Sequence, residues 1–165
     1  MLNRLRAYRH AFNIGCALVC FAMFGYALYV QSQLGLEPCP LCIFQRVAVV
    51  ALGVAFVLAA LVPDRFRITG WIATALIALV ATAGAGVAGR HVYIQSLPPG
   101  KVPACGANLD FMLDVFPLTE VLRKVLTGSG ECAKVDWTRF GLSMPAWVLI
   151  AVVVLGTAGV LVNRR

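Results

Sequence analysis

The chain has 165 residues, 61% of them hydrophobic and only 13% charged, with a mean hydropathy of +0.86. A soluble domain carries about 25% charged residues, so a water-surrounded globule is excluded and a membrane protein is indicated. The net charge of +7 is not a nucleic-acid footprint: Arg4, Arg6, Arg9, Arg65, Arg67, Arg164 and Arg165 flank apolar runs, while His91 to Ser143 holds five basic and five acidic residues.

Four apolar runs follow one another, at about 11–30, 43–62, 68–89 and 145–162. Each is long enough, at ~1.5 Å per residue, to cross a hydrocarbon core of roughly 30 Å. Amides cannot go unpaired in lipid, so these runs are expected to be helices. The expected fold is an all-α membrane protein, one domain over 1–165, built as a four-transmembrane-helix bundle. The basic flanks place both termini and the 63–67 link on the cytoplasmic side, and the loops at about 31–42 and 91–144 on the other.

The first run begins after the arginines. Gly25-Tyr26-Ala27 resembles a signal-cleavage site, but the run exceeds the roughly 7–15 apolar residues of a signal core and reads as a retained span. Cys16 and Cys20, four apart on one helix face, read as small packing residues.

At the end of the first external loop stands "EPCPLCIFQR", Glu37 to Arg46. Cys39 and Cys42 form a Cys-x-x-Cys pair at the N-terminus of the second helix, where open amides and the helix dipole favour a thiolate. Arg46 follows Cys42 by four residues, on the same face, and its charge would stabilise a Cys42 thiolate or a reduced, anionic acceptor. No Asp or Glu falls in any of the four runs, which argues against transport by a carboxylate relay. In the third run Ala85 and Gly89 are spaced for a close helix contact.

The second external loop opens with "PPGKVP", Pro98 to Pro103, which excludes regular structure before Cys105. Leu118, Val121, Leu122, Val125 and Leu126 then recur at helical spacing, predicting a short amphipathic surface helix too short to cross the bilayer. The "GSG" of Gly128 to Gly130 ends it just before Cys132 and leaves that cysteine on joints that let it approach Cys39.

Four external cysteines allow three pairings; adjacency favours Cys39 with Cys42 and leaves Cys105 with Cys132. Two inert bridges in a structural tetraspan protein fit this arithmetic. A relay fits it too, one pair meeting a soluble protein and the other, at lipid depth, meeting a lipid-soluble acceptor such as a quinone. No metal is expected, because Cys105 and Cys132 are not closely spaced and His10 and His91 fall at opposite ends of the bundle.

With "CPLC" followed by "QR", "GRH" at Gly89 to His91, two loop cysteines and "MPAW" at Met144 to Trp147, the chain resembles the bacterial inner-membrane disulfide-bond formation protein B family over nearly its whole length. The resemblance implies an oxidoreductase that reoxidises a periplasmic thioredoxin-like, DsbA-type oxidase and passes the electrons to ubiquinone or menaquinone in the membrane. It implies Cys39, Cys42, Cys105 and Cys132 as catalytic residues. The partner attacks Cys105, the freed Cys132 attacks Cys39, and Cys42 faces the quinone with Arg46 and His91 beside it. Met144 and Trp147 are candidates to border the same site, Trp147 being equally readable as an interfacial anchor.

Overall fold

The computed structural model describes residues 2–35, 38–61, 67–98, 112, 114–128, 130–135 and 137–164, with the side chains of all but 2–7, 67, 122, 124 and 126. Its helices are α1 (Leu2–Leu34), α2 (Pro40–Leu61), α3 (Arg67–Gln95), α4 (Leu118–Thr127), α5 (Gly130–Ala133) and α6 (Met144–Asn163). Four of these are long and apolar enough to span a membrane. Leucines and isoleucines such as Leu18, Ile72, Leu79 and Leu161 face outward, more than half exposed, as suits a lipid-facing belt.

In the bundle α1 packs on α2, α2 on α3 and α3 on α6, while α6 meets α1 only sparsely. Small residues set the close approaches. A β-carbon on Gly156 would stand 2.5 Å from Ala81 Cβ, and one on Gly159 2.6 Å from the Phe56 ring. Here α6 is drawn against its neighbours by dispersion contacts, lipid tails offering no hydrophobic drive. On α3 the buried face is Ala81, Gly84, Ala88 and His91. Gly89, expected in a close helix contact, meets nothing within 4 Å among the described residues, and Gly84 beside Ala48 and Val152 takes that role.

Helices α1, α2 and α3 outrun their apolar stretches, α1 at both ends. Helix α2 begins at Pro40, whose fixed φ and missing amide suit the first helical position. Helix α3 continues to Gln95 because the polar residues beyond Gly89 find partners. The Arg90 guanidinium lies 5.3 Å from the Tyr93 ring centre and donates to the Thr127 carbonyl at 3.0 Å.

The ends of the bundle differ in chemistry. At one, Asn13 and Asn163, both almost fully buried, exchange amide hydrogen bonds of 3.0 and 2.9 Å across α1 and α6. His10 reaches the Ala60 carbonyl nearby, so both termini and the end of α2 meet there. At the other end Cys39, Leu41, Ile94, Met112, Val121, Val125 and Cys132 form a second apolar cluster.

Helix α4 lies over this second cluster. Val121 and Val125 are buried in it, whereas Leu118, on the predicted apolar face, is 73% exposed. Gly128 ends the helix at φ +85, where a β-carbon would meet Ile94 Cδ1 at 2.2 Å. Only glycine suits both the left-handed backbone and that contact. Before α6, β1 (Thr138–Arg139) and β2 (Leu142–Ser143) pair antiparallel. Their two-residue turn has φ 53 at Phe140 and φ 77 at Gly141, the two positive values of a type I′ hairpin.

Candidate active site

The thiol site is built by the first turn of α2, the last turns of α3 and the single turn of α5. Cys39 caps α2 twice: its carbonyl accepts from the Ile43 amide at 3.2 Å and its sulfur from the Cys42 amide at 3.4 Å. The first is the opening i→i−4 bond of the helix, and the second satisfies the Cys42 amide, one of those left open at a helix start. The Cys39 thiol donates to the Cys42 sulfur, 3.0 Å away.

Cys132 is fully buried, carried there by α5. Its sulfur, that of Cys39 and a ring nitrogen of His91 all lie within 4.8 Å of one another. Cys132 lies beside Cys39, as its joints predict, but buried beneath α4 and not facing a soluble partner, because Val121 and Val125 close over it. Cys105 and most of the "PPGKVP" segment lie outside the described residues.

A hydrogen bond to Cys132 pulls the Cys39 thiol down, but the hydrogen bond it makes to Cys42, together with burial, outweighs that and leaves it pushed up to about 12. Cys39 is therefore held as a neutral thiol in the reduced site. A neutral Cys39 gives its hydrogen bond to Cys42, which shares the α2 N-terminus with the Arg46 face.

His91 is 2% exposed and fully engaged. Its Nε2 lies 3.1 Å from the Cys132 carbonyl, which can only accept, so Nε2 carries the proton. Its Nδ1 then accepts from the Gln45 side-chain amide at 2.9 Å. The same Nε2 is 3.8 Å from Cys39 Sγ. Gln45, quoted within the "QR" motif but given no role by the sequence, is an amide in an apolar run and so needs a partner, which His91 supplies.

Beside the thiols is a cleft of about 720 Å³, in the seam where α1 and α6 diverge. Cys42, Arg46 and His91 line it, with Met144 and Trp147 from α6 and Tyr26 from α1. Arg46 reaches toward α1, donating to Gln31 Oε1 and to the Ala27 carbonyl at 3.4 Å. Aromatic pairs stand on both sides: Tyr26 edge-on to Trp137 at 6.2 Å and Phe140 edge-on to Trp147 at 6.5 Å. The Trp147 indole N–H is held by the Arg139 carbonyl at 3.1 Å, which ties the hairpin to α6.

Residues 9–162 match the family model described as disulfide bond formation protein DsbB. The chain belongs to the DsbB family. A disulfide bond formation protein B of Nitrosococcus oceani is 51% identical over 150 residues, 90% of this chain and 86% of that protein. One from Methylococcus capsulatus is 48% identical over 158 residues, covering 95% and 94%, and one from Chromohalobacter salexigens is 43% identical over 160, covering 92% and 93%. This DsbB-family chain is thus a multi-pass membrane protein of disulfide-bond formation, with a dithiol, a third buried cysteine and an arginine-bearing cleft gathered at one end of its bundle.

Proposed function

We propose that this protein is a quinone-dependent thiol oxidase of the bacterial inner membrane, which reoxidises a thioredoxin-like, DsbA-type protein in the periplasm. The observation that carries the reading is the junction of two features at one sulfur pair: Cys39 touches Cys132 on one side, and Cys42 lines a lipid-sized cleft with Arg46 on the other. Two inert bridges would give no reason to bury Cys132 against Cys39. The basic flanks put the termini in the cytoplasm and the thiol end in the periplasm.

In this reading the partner's thiolate attacks Cys105 of a Cys105–Cys132 disulfide, and the Cys132 thiolate leaves. Cys132 then attacks Cys39 of the Cys39–Cys42 disulfide, and Cys42 leaves as a thiolate toward the cleft. A quinone, when bound, takes up two electrons and two protons and becomes a quinol. Cys42 and Arg46 fit such a ring, a sulfur donor and a cation that favours a reduced oxygen, and His91 stands beside them in a wall that also carries Tyr26, Trp137, Phe140 and Trp147. The partner's remaining thiolate resolves its mixed disulfide and frees Cys105, which attacks Cys132 of the Cys39–Cys132 disulfide and releases Cys39. The Cys39–Cys42 dithiol then closes to a disulfide, so the two electrons and two protons of one partner dithiol pass to one quinone.

Steady-state turnover tests this. Detergent-solubilised protein is mixed with a reduced thioredoxin-like partner and ubiquinone or menaquinone, and loss of partner thiols is followed. Cys42→Ser is expected to abolish turnover and Arg46→Ala to lower it at least about tenfold, the loss expected when about 1.4 kcal/mol of charge stabilisation is removed. Parent-like turnover by both variants overturns the reading.

A further inference from the structure

The fold removes the objection that spacing raised against a metal. Cysteines 39 and 132 and His91 are far apart in sequence, yet their ligand atoms converge within 4.8 Å, all three residues buried. In a tetrahedral zinc site, bonds of roughly 2.3 Å to sulfur and 2.0 Å to nitrogen separate a thiolate from an imidazole nitrogen by about 3.6 Å. The observed distance from Cys39 Sγ to His91 Nε2 is 3.8 Å. A zinc-sized ion therefore fits with little movement of these two side chains.

The surroundings of His91 supply a second, independent observation. A metal-bound histidine almost always gives its other ring N–H to a neighbour, which fixes the ring. Gln45 stands 2.9 Å from Nδ1, and a side-chain amide can present either its NH2 or its oxygen there. When Nε2 exchanges its bond to the Cys132 carbonyl for a metal, the proton moves to Nδ1 and the turned Gln45 amide accepts it. Cys42, whose sulfur is 3.0 Å from that of Cys39, stands between this cluster and the cleft that it lines.

We infer that the reduced protein binds one zinc-class ion through Cys39, Cys132 and His91, with Gln45 orienting the histidine. Binding displaces the two thiol protons, and the sulfurs then serve as ligands instead of nucleophiles. Closure of Cys39 into a disulfide withdraws a ligand, so the site exists only in the reduced state. Its consequence for catalysis, a halt at the reduced stage until the ion leaves, rests on the relay proposed above; the binding does not.

Cobalt(II), the spectroscopic stand-in for zinc, tests binding without partner or quinone. Full-length protein in detergent is reduced, freed of reductant and titrated anaerobically. The expected result is one equivalent bound, with thiolate-to-cobalt charge transfer, tetrahedral d–d bands and displacement by Zn²⁺. Cys39→Ser and Cys132→Ser should each weaken binding at least tenfold, and Gln45→Leu, which leaves all ligands in place, 10- to 100-fold. The Cys16→Ala/Cys20→Ala pair should bind as the parent does, and the oxidised protein not at all. Absence of the bands, bands that survive both serine changes, or bands lost in the Cys16/Cys20 variant would each overturn the inference; circular dichroism identifies any variant that has unfolded.

Discussion

Cys39 carries structural and chemical duties on the same sulfur. It caps α2 through the Cys42 amide and meets Cys132 and His91 in the buried cluster. Its ordinary value is 9.0, and the fold pushes it up to about 12, so the folded state favours the protonated thiol. Below pH 9 the group is protonated in both folded and unfolded chains, and its contribution to stability is fully present. As pH rises from about 9 toward 12 the unfolded chain ionises first and that contribution is lost. Thermal unfolding of the reduced protein should therefore show a midpoint that falls across this window, with a shallower fall in Cys39→Ser; equal slopes would contradict the assignment. At this scale the sequence was partly legible. The Cys-x-x-Cys spacing and Arg46 announced the chemistry, since local spacing survives folding. The contacts of His91 with Gln45 and Cys132 were not legible, because they depend on how α2, α3 and α5 are brought together.

Helix α4 shows what periodicity conveys and what it leaves open. The heptad-like pattern located the helix, but a pattern cannot name the surface against which an apolar face packs. Val121 and Val125 turn to Leu41, Ile94 and Cys132. Burying a valine stabilises by roughly 1.5–3 kcal/mol. Replacing both with aspartate should loosen this cover, and the count is best made with a polar maleimide on the reduced protein: Cys132 is expected to label at least about tenfold faster, with Cys16 and Cys20 unchanged. Unaltered Cys132 labelling would show that α4 does not shield it. Gly128→Ala tests the end of the same helix, where a side chain in the left-handed region costs about 1–2 kcal/mol and the contact with Ile94 adds to it. A denaturation midpoint equal to the parent's would contradict the close approach.

At the scale of the molecule, one end of the bundle is chemical and the other structural. The number and order of the spans were legible because about 20 apolar residues have few alternatives in lipid. The Asn13–Asn163 pair was not, since Asn13 is a lone amide in the first run, Asn163 stands just past the end of the fourth, and their meeting depends on α1 and α6 lying side by side. Buried side-chain hydrogen bonds between membrane helices average about 0.6 kcal/mol, with a maximum near 1.7. Asn13→Ala and Asn163→Ala, alone and together, should give a coupling of that size in a detergent-unfolding double-mutant cycle and leave the proposed turnover with quinone unchanged. Additive losses would show that the amides do not meet.

The central claim is that electrons leave the Cys39–Cys42 dithiol through Cys42 into the cleft between α1 and α6. Single-turnover stopped flow reads this directly: protein reduced at that dithiol, with Cys105 and Cys132 replaced by serine, is mixed with excess ubiquinone or menaquinone without any partner protein. The expected result is one quinol formed for each dithiol oxidised, and none in a Cys42→Ser version. Quinol formation that persists without Cys42, or a dithiol that stays reduced beside excess quinone, would contradict it.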